Sequence, residues 1–495
     1  MSSGLAPISH WIGGRRVDGV AARRGPVFDP ARGVQTGEVA FASAAEVDGA
    51  VKVAVAAATE WRDSSLSRRT AAMFRLRELI DARRDDLAAL ITAEHGKVLD
   101  DARGEVARGL DCVEFACGIP HLLKGAHSSE VSAGIDVHTV LQPVGVVVGI
   151  TPFNFPVMVP LWMLANALAC GNAFVHKPSE KDPSASLLIA ELVREAGFPD
   201  GVHTVVQGDA EAVDAHPDVD AVSFVGSTAI ARHVYETGAK HGKRVQALGG
   251  AKNHMVVLPD ADLDAAADAA ISAGYGSAGE RCMAISVVVA VGAVADPLVE
   301  AIAARIPDVV VGPGDQDSSM MGPLITREHR DRVQSYVTGA AGDGADVVVD
   351  GSSVGRGDGF FVGCSLIDNV EPGMAVYDDE IFGPVLSVVR VPTFDDALAL
   401  VNANPYGNGV ALFSRDGGAA RQFERDVNVG MVGINVPIPV PVAWHSFGGW
   451  KASLFGDAPI YGPEGIRFYT NPKVVTTRWP DPASSVIDLG FPTNR

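Results

Sequence analysis

Cysteine is scarce in this chain: five residues in 495, with no Cys-x-x-Cys pair. So few thiols exclude a disulfide framework and fit buried free cysteines in a reducing compartment. No metal site is expected. Positive charge is also in deficit. Lys plus Arg number 40 against 60 for Asp plus Glu, giving a net charge of −20. An acidic surface repels nucleic acid and anionic lipid, so neither is expected as a partner. The first twenty residues lack an apolar core of signal-peptide length, and Arg15, Arg16 and Asp18 interrupt them. A cytoplasmic protein is expected.

Long hydrophobic runs are absent too, with one apparent exception. Between Asp136 and Lys177 there is no Asp, Glu, Lys or Arg. A membrane-spanning helix needs ~20 apolar residues. Here Pro143, Pro152, Pro156 and Pro160, with Gly145, Gly149 and Gly171, break the stretch up. The pieces read as a strand (Val144–Ile150), a turn (Thr151–Pro156) and a helix (Val157–Ala169). Each is apolar all round, as expected of segments buried in a large core.

What is present is ordinary globular composition, 47% hydrophobic and 20% charged, in a chain long enough for roughly three domains. Amphipathic periodicity predicts helices over 45–61, 67–95 and 100–115. Residues 125–141 read as a turn leading into a strand. From Val144 onward strands alternate with helices: 144–150, 173–176, 202–206, 221–225 and 245–248 are the strands. Such alternation predicts a parallel, doubly wound sheet. A second alternation begins with an Ala-rich helix at 263–273 and the strand 286–291, and runs to about 431–436. Residues 467–477 read as a final strand. The boundary between the two alternating parts falls near 249–252.

A Gly-x-Gly-x-x-Gly pattern occurs at Gly274, Gly276 and Gly279. A dinucleotide fingerprint needs a strand before it and a helix after it; this copy follows a helix. It reads better as a loop delivering Glu280, Arg281 and Cys282. Cys282 differs from the other cysteines because Arg281 precedes it, and an adjacent cation lowers a thiol pKa. Cys170 and Cys364 lie in apolar runs.

Seven strings occur in order: PFNFP at 152–156, KPSE at 177–180, FVGST at 224–228, LGGAKN at 248–253, GERC at 279–282, EIFGPV at 380–385 and FGGWKAS at 447–453. Together they resemble the aldehyde dehydrogenase superfamily, over about 11–475. RVQALGGAKNHMVVLPDA, GSAGERCMA and GINVPIPVP resemble its CoA-acylating methylmalonate-semialdehyde dehydrogenase branch in particular.

The resemblance implies an α/β fold with a Rossmann-like NAD-binding domain (1–122 and 143–249) and a catalytic domain (250–445). An oligomerisation arm and C-terminal segment (123–142 and 446–495) would complete it, in a homotetramer. Cys282 would attack the aldehyde, and the Asn154 amide with the Cys282 N–H would hold the oxyanion. On its own, Asn154 is a turn residue between two prolines. NAD would be held by Lys177, Glu180 and Lys181 at the adenosine ribose and by Gly226 and Ser227 at the diphosphate. Glu380 would hold the second ribose, with Thr151, Phe153 and Gly249 lining the cleft.

The branch implies a substrate carboxylate, for which Arg108 and Arg281 are the expected partners. Hydrolytic relatives carry a glutamate at the position of Ala247. Without that base, water is a poor acceptor of the acyl group and coenzyme A, a thiol, is favoured. The implied reaction converts methylmalonate semialdehyde to propionyl-CoA, or malonate semialdehyde to acetyl-CoA, in valine or inositol breakdown. The rival is a hydrolytic aldehyde dehydrogenase with a displaced base.

Overall fold

Val146–Ile150 is the hub of the first sheet. Its five residues are wholly buried, as the uncharged run predicts. It pairs in parallel with Ala173–Lys177 on one side and Ala221–Val225 on the other. His203–Val205 and Arg244–Leu248 extend the parallel set outward. Antiparallel strands Leu454–Phe455 and His10–Ile12 flank it, and Arg15–Val17 completes an eight-stranded sheet. The chain first builds outward in one direction and then returns to build in the other. The reversal falls between Val146–Ile150 and Ala221–Val225, and ligands of doubly wound sheets bind beyond the strand C-termini at such a point. The computed structural model describes residues 5–20, 23–208, 211–354 and 357–479. The last part of the expected C-terminal segment, 480–495, lies outside them.

The helix Met158–Cys170 is buried on every side. It packs against Leu99–Cys117. The approach is close enough that a Cβ on Gly109 would lie 2.8 Å from Leu161 Cδ1, which is why that helix carries glycine there. No helix among the described residues is long and apolar enough to cross a membrane.

The second sheet has seven strands. Asn253–Val257 and Ile285–Val291 lie at its centre, flanked by Val385–Val391 and Gly409–Phe413. Asp346–Val349 is its one antiparallel member among the described strands. A third sheet stands apart: His127–Ser132, Ile135–Pro143 and Thr470–Arg478, all antiparallel. Its two outer strands are mostly exposed, and the central Ile135–Pro143 is half-buried.

Three expectations require correction. The helix expected over 67–95 is two, Leu66–Ala82 and Arg84–His95. Arg83 leaves helical geometry at φ −108°, ψ 20°, and Asp85 and Asp86 begin a new first turn, where acidic side chains favour the helix dipole. The single strand expected within 125–141 is a hairpin, turning at Gly134 with φ +70°. Arg467 and Phe468 belong to the helix Gly462–Phe468, so the last strand starts at Thr470.

Candidate active site

A cavity of about 500 Å³ opens where the C-terminal ends of the first sheet face the loop entering Ile285–Val291. Cys282 lies in it, partly exposed, whereas the other four cysteines are buried. The loop delivering it is tightly wound. Ser277, Ala278 and Gly279 have φ of +54°, +52° and +74°, and the first two are strained in that region. Two side-chain amides hold the far end: Asn253 and Asn408 donate to the Cys282 carbonyl at 2.8 and 3.0 Å.

Asn154 lines the same cavity and is buried. Its Nδ2 donates to the Glu280 carbonyl at 2.9 Å, and its own carbonyl accepts from Lys97 Nζ at 2.7 Å. Lys97 also pairs with Glu105 at 2.7 Å in full burial, and Glu105 accepts from the backbone N–H groups of Val157 and Met158. A buried ion pair thus pins the PFNFP turn.

Burial, then the nearby Glu380 charge, pushes the Cys282 thiol up to about 12. Arg281 lowers the thiol, as expected of an adjacent cation, but by less than burial raises it. Its guanidinium is committed to Asp101 at 2.6 Å. Arg108 does not line the cavity. It pairs with Asp111 at 3.0 Å and donates to the Pro441 carbonyl at 2.9 Å.

Of the residues expected to hold NAD, Phe153, Lys181, Gly226, Ser227, Gly249 and Glu380 line the cavity. Lys181 Nζ stands 4.6 Å from the Phe153 ring centroid. Ser227 begins the helix Thr228–Lys240 in extended geometry, with no cap bond from its side chain. Its hydroxyl and the first N–H groups of that helix form a cradle suited to an anion. A Cβ on Gly249 would meet the Ala452 carbonyl at 2.8 Å, and one on Gly250 the Glu380 carboxylate at 2.3 Å. Glu380 accepts from Ala251 N–H at 2.9 Å, and burial raises its carboxyl to about 7.

Three of the residues expected to hold NAD stand outside the lining, and so does Arg281. Thr151 is turned inward, its hydroxyl 2.9 Å from His176 Nε2. Lys177 and Glu180 form a pair at 3.5 Å at the end of the strand Ala173–Lys177. Ala247 is fully buried between Phe224 and Phe455 of the neighbouring strands and contributes nothing to the cavity.

The sequence matches the Aldehyde dehydrogenase family over residues 17–475. The chain belongs to that family. It is 51% identical over 497 residues to malonate-semialdehyde dehydrogenase of Pseudomonas aeruginosa, covering 99% of this chain and all (100%) of that one. Malonate-semialdehyde dehydrogenase 2 of Geobacillus kaustophilus is 44% identical, with 97% and 100% covered. Among solved structures, methylmalonate-semialdehyde dehydrogenase from Oceanimonas doudoroffii has a TM-score of 0.95 at 52% identity, covering 97% and 99%. A Sinorhizobium meliloti protein crystallised with NAD has a TM-score of 0.96 at 49% identity, covering 98% and 100%. The aldehyde dehydrogenase fold expected from the seven strings is therefore the fold of this chain.

Reasoning from sequence missed several residues of this family member's site. Phe382 lines the cavity at φ +58° and meets Phe153 edge-on at 5.9 Å. His329 and Arg332 line it from the helix Arg327–Ala340. Tyr461 donates to the Pro441 carbonyl at 3.0 Å and so shares that acceptor with Arg108. Phe382 lies inside the EIFGPV string and could have been found there; no such string contains His329, Arg332 or Tyr461, which distant segments bring in.

Proposed function

We propose that this enzyme oxidises malonate or methylmalonate semialdehyde with NAD and passes the acyl group to coenzyme A. The observation that carries the reading is the shared cavity of Cys282, Asn154 and Glu380; the preference for coenzyme A over water rests on the family resemblance, which puts Ala247 where hydrolytic relatives carry glutamate. The names of the relatives agree with it. Cys282 is the nucleophile: its Sγ bonds to the aldehyde carbon, and its proton leaves for solvent or for a neighbouring carboxylate. Asn154 Nδ2 and the Cys282 N–H stabilise the oxyanion where the charge develops. The nicotinamide supplies the hydride acceptor when bound, and Cys282 is left carrying a thioester.

Ser227 and Gly226 hold the diphosphate. Lys177, Glu180 and Lys181 serve the adenosine end, and Glu380 serves the nicotinamide-side ribose. Phe153 and Gly249 line the cleft, and Thr151 supports it from behind. Arg281 and Arg108 receive the substrate carboxylate. That group can leave as carbon dioxide because the adjacent thioester carbonyl accepts its electron pair, and the resulting enolate takes a proton from solvent at the carbon that carried the carboxylate. Coenzyme A thiolate then attacks the thioester carbonyl and frees Cys282.

Residues 1–122 and 143–249 serve as the NAD-binding domain and 250–445 as the catalytic domain. The exposed third sheet serves as the arm of a homotetramer, since unpaired strand edges are best covered by another subunit. The setting is cytoplasmic.

The test is NADH formation from malonate semialdehyde with and without coenzyme A. Without it, a burst of about one NADH per active site precedes a slow phase, because acylation needs no base for water but hydrolysis does. With it, steady turnover gives acetyl-CoA. Fast turnover independent of coenzyme A would establish the hydrolytic rival instead.

A further inference from the structure

Behind Phe153 lies a polar cluster for which the reaction scheme above has no use. The Phe153 ring stacks on His95 at 6.0 Å. His95 ends the helix Arg84–His95 and is fully buried, with neither ring nitrogen hydrogen-bonded. Its Nε2 lies 3.5 Å from Glu280 Oε2, which also lacks a hydrogen-bond partner. Glu280 is completely buried. Its Oε1 accepts from Ile325 N–H at 3.2 Å and lies 3.5 Å from His329 Nε2.

The proton positions follow from the partners. His329 Nε2 is 2.7 Å from the Phe382 carbonyl, so it carries hydrogen and donates there; Nδ1 then accepts from Arg332. A neutral His329 offers Glu280 no net charge. Lys97 is already committed to Glu105, and Lys181 rests against Phe153. A carboxylate without a dedicated cation is costly in full burial, whereas a carboxylic acid can donate from Oε2 to His95 Nε2, and neither atom has another hydrogen-bond partner.

We propose that Glu280 is a positioning residue held as the neutral acid, its Oε2 proton bridging to His95 Nε2, and that this bridge fixes the Cys282 loop against the cavity wall. The mechanical link is short. The Glu280 backbone carbonyl holds the Asn154 amide at 2.9 Å, and Cys282 is two residues on. His95 supports Phe153, and His329 supports Phe382. One carboxyl group therefore ties together both aromatic rings of the cleft and the two groups proposed to act on the aldehyde. Burial raises the carboxyl to about 8. Ionisation above that point leaves an anion whose nearest loosely held cation is Lys181, and drawing Lys181 inward removes it from the face of Phe153.

The inference rests on the proposed roles of Cys282 and Asn154. Its test compares wild type, Glu280→Gln and Glu280→Ala. One arm measures the NADH burst rate; the other measures alkylation of Cys282 by iodoacetamide, which needs neither aldehyde nor NAD. A wild type without turnover would thus sink the proposed function and leave the second arm readable. Glutamine reproduces the neutral acid, accepting from Ile325 and donating to His95. Glu280→Gln is expected to stay close to wild type at pH 7. Glu280→Ala is expected to lose roughly 10–100-fold in burst rate, with a much smaller change in KM for the aldehyde. In both arms, the ratio of Glu280→Gln to wild type rises as pH passes about 8, because only the wild type ionises there. A glutamine variant as slow as the alanine one, a ratio flat across that range, or a glutamine variant that does not fold would each overturn the proposal.

Discussion

The Arg281 guanidinium and the Asp101 carboxylate lie 2.6 Å apart, each side chain only about one-fifth exposed, at 21% and 20%. An incoming carboxylate therefore reaches Arg281 in competition with one already in place. Arg281→Ala is expected to raise KM for malonate semialdehyde roughly 10–150-fold, the value of a charge-assisted hydrogen bond, and to leave propanal nearly unaffected. Asp101→Asn should lower KM for the semialdehyde alone. Arg108→Ala should act in the same direction as Arg281→Ala but more weakly, since Asp111 and Pro441 already occupy its donors. Equal effects on both aldehydes would remove the carboxylate role.

Cys282→Ala should abolish NADH formation, and Cys364→Ala should leave most of it. Burial pushes both thiols to about 12, so acidity does not separate them. Position does: Cys282 lines the cavity, while Cys364 is buried with its sulfur 3.9 Å from that of Met321. Near wild-type turnover by Cys282→Ala would refute the assignment.

NAD should be preferred to NADP. The Glu180 carboxylate, 3.5 Å from Lys177, would accept from ribose hydroxyls and repel a 2′-phosphate. Lys181 Nζ rests over the Phe153 ring. Glu180→Gln should raise kcat/KM for NADP relative to NAD. An unchanged ratio would show that Glu180 does not set the choice.

Ala247→Glu tests whether the missing base can be restored by one substitution. In this fold it should not be. The side chain would enter a wholly buried apolar site between Phe224 and Phe455, at a cost of about 3 kcal/mol or more for an unpaired charge. The expected result is a lower urea midpoint with no gain in coenzyme A-independent turnover. A faster hydrolytic rate in a stable variant would contradict the geometry.

His203 provides a test by pH. It is buried, neither ring nitrogen is hydrogen-bonded, and it stacks on His176 at 6.1 Å. Burial lowers its pKa from 6.5 to about 3. Between those values the unfolded chain binds a proton that the folded chain refuses. Stability is then lost as pH falls below 6.5 and is fully retained above it. His203→Leu removes the titration. Its stability relative to wild type should improve by about 2 kcal/mol between pH 7 and pH 5, as read from urea unfolding. No relative improvement would show that His203 already carries its proton in the fold.

The strand Ala221–Val225 was legible to the residue, because a short apolar run bounded by polar residues and a glycine has one sensible reading in an alternating chain. The turn at Asn154 and the loop at Cys282 were legible through the strings that contain them. The break at Arg83 was not, since the apolar periodicity continues across it. Nor was the commitment of Arg281 to Asp101, which lies 180 residues away. The same holds for Ala247: its sequence neighbours suggest a site residue, and only pairing with two flanking strands shows a core one. Local pattern fixes what a segment becomes, and long-range pairing decides which way its side chains face.

The nine-residue pairing of Ile135–Pro143 with Thr470–Arg478 has a consequence for the order in which the molecule is made. The two strands are separated by more than three hundred residues, and so are Arg244–Leu248 and Leu454–Phe455 by about two hundred. Such contacts carry a large loop-closure entropy and form late. During synthesis the hairpin within 127–143 therefore emerges with a bare edge, and keeps it until nearly all of the remaining chain has left the ribosome. That edge is a template for wrong pairing with a neighbouring nascent chain. Truncation just before Thr470 should accordingly yield aggregates rather than a slightly shorter enzyme.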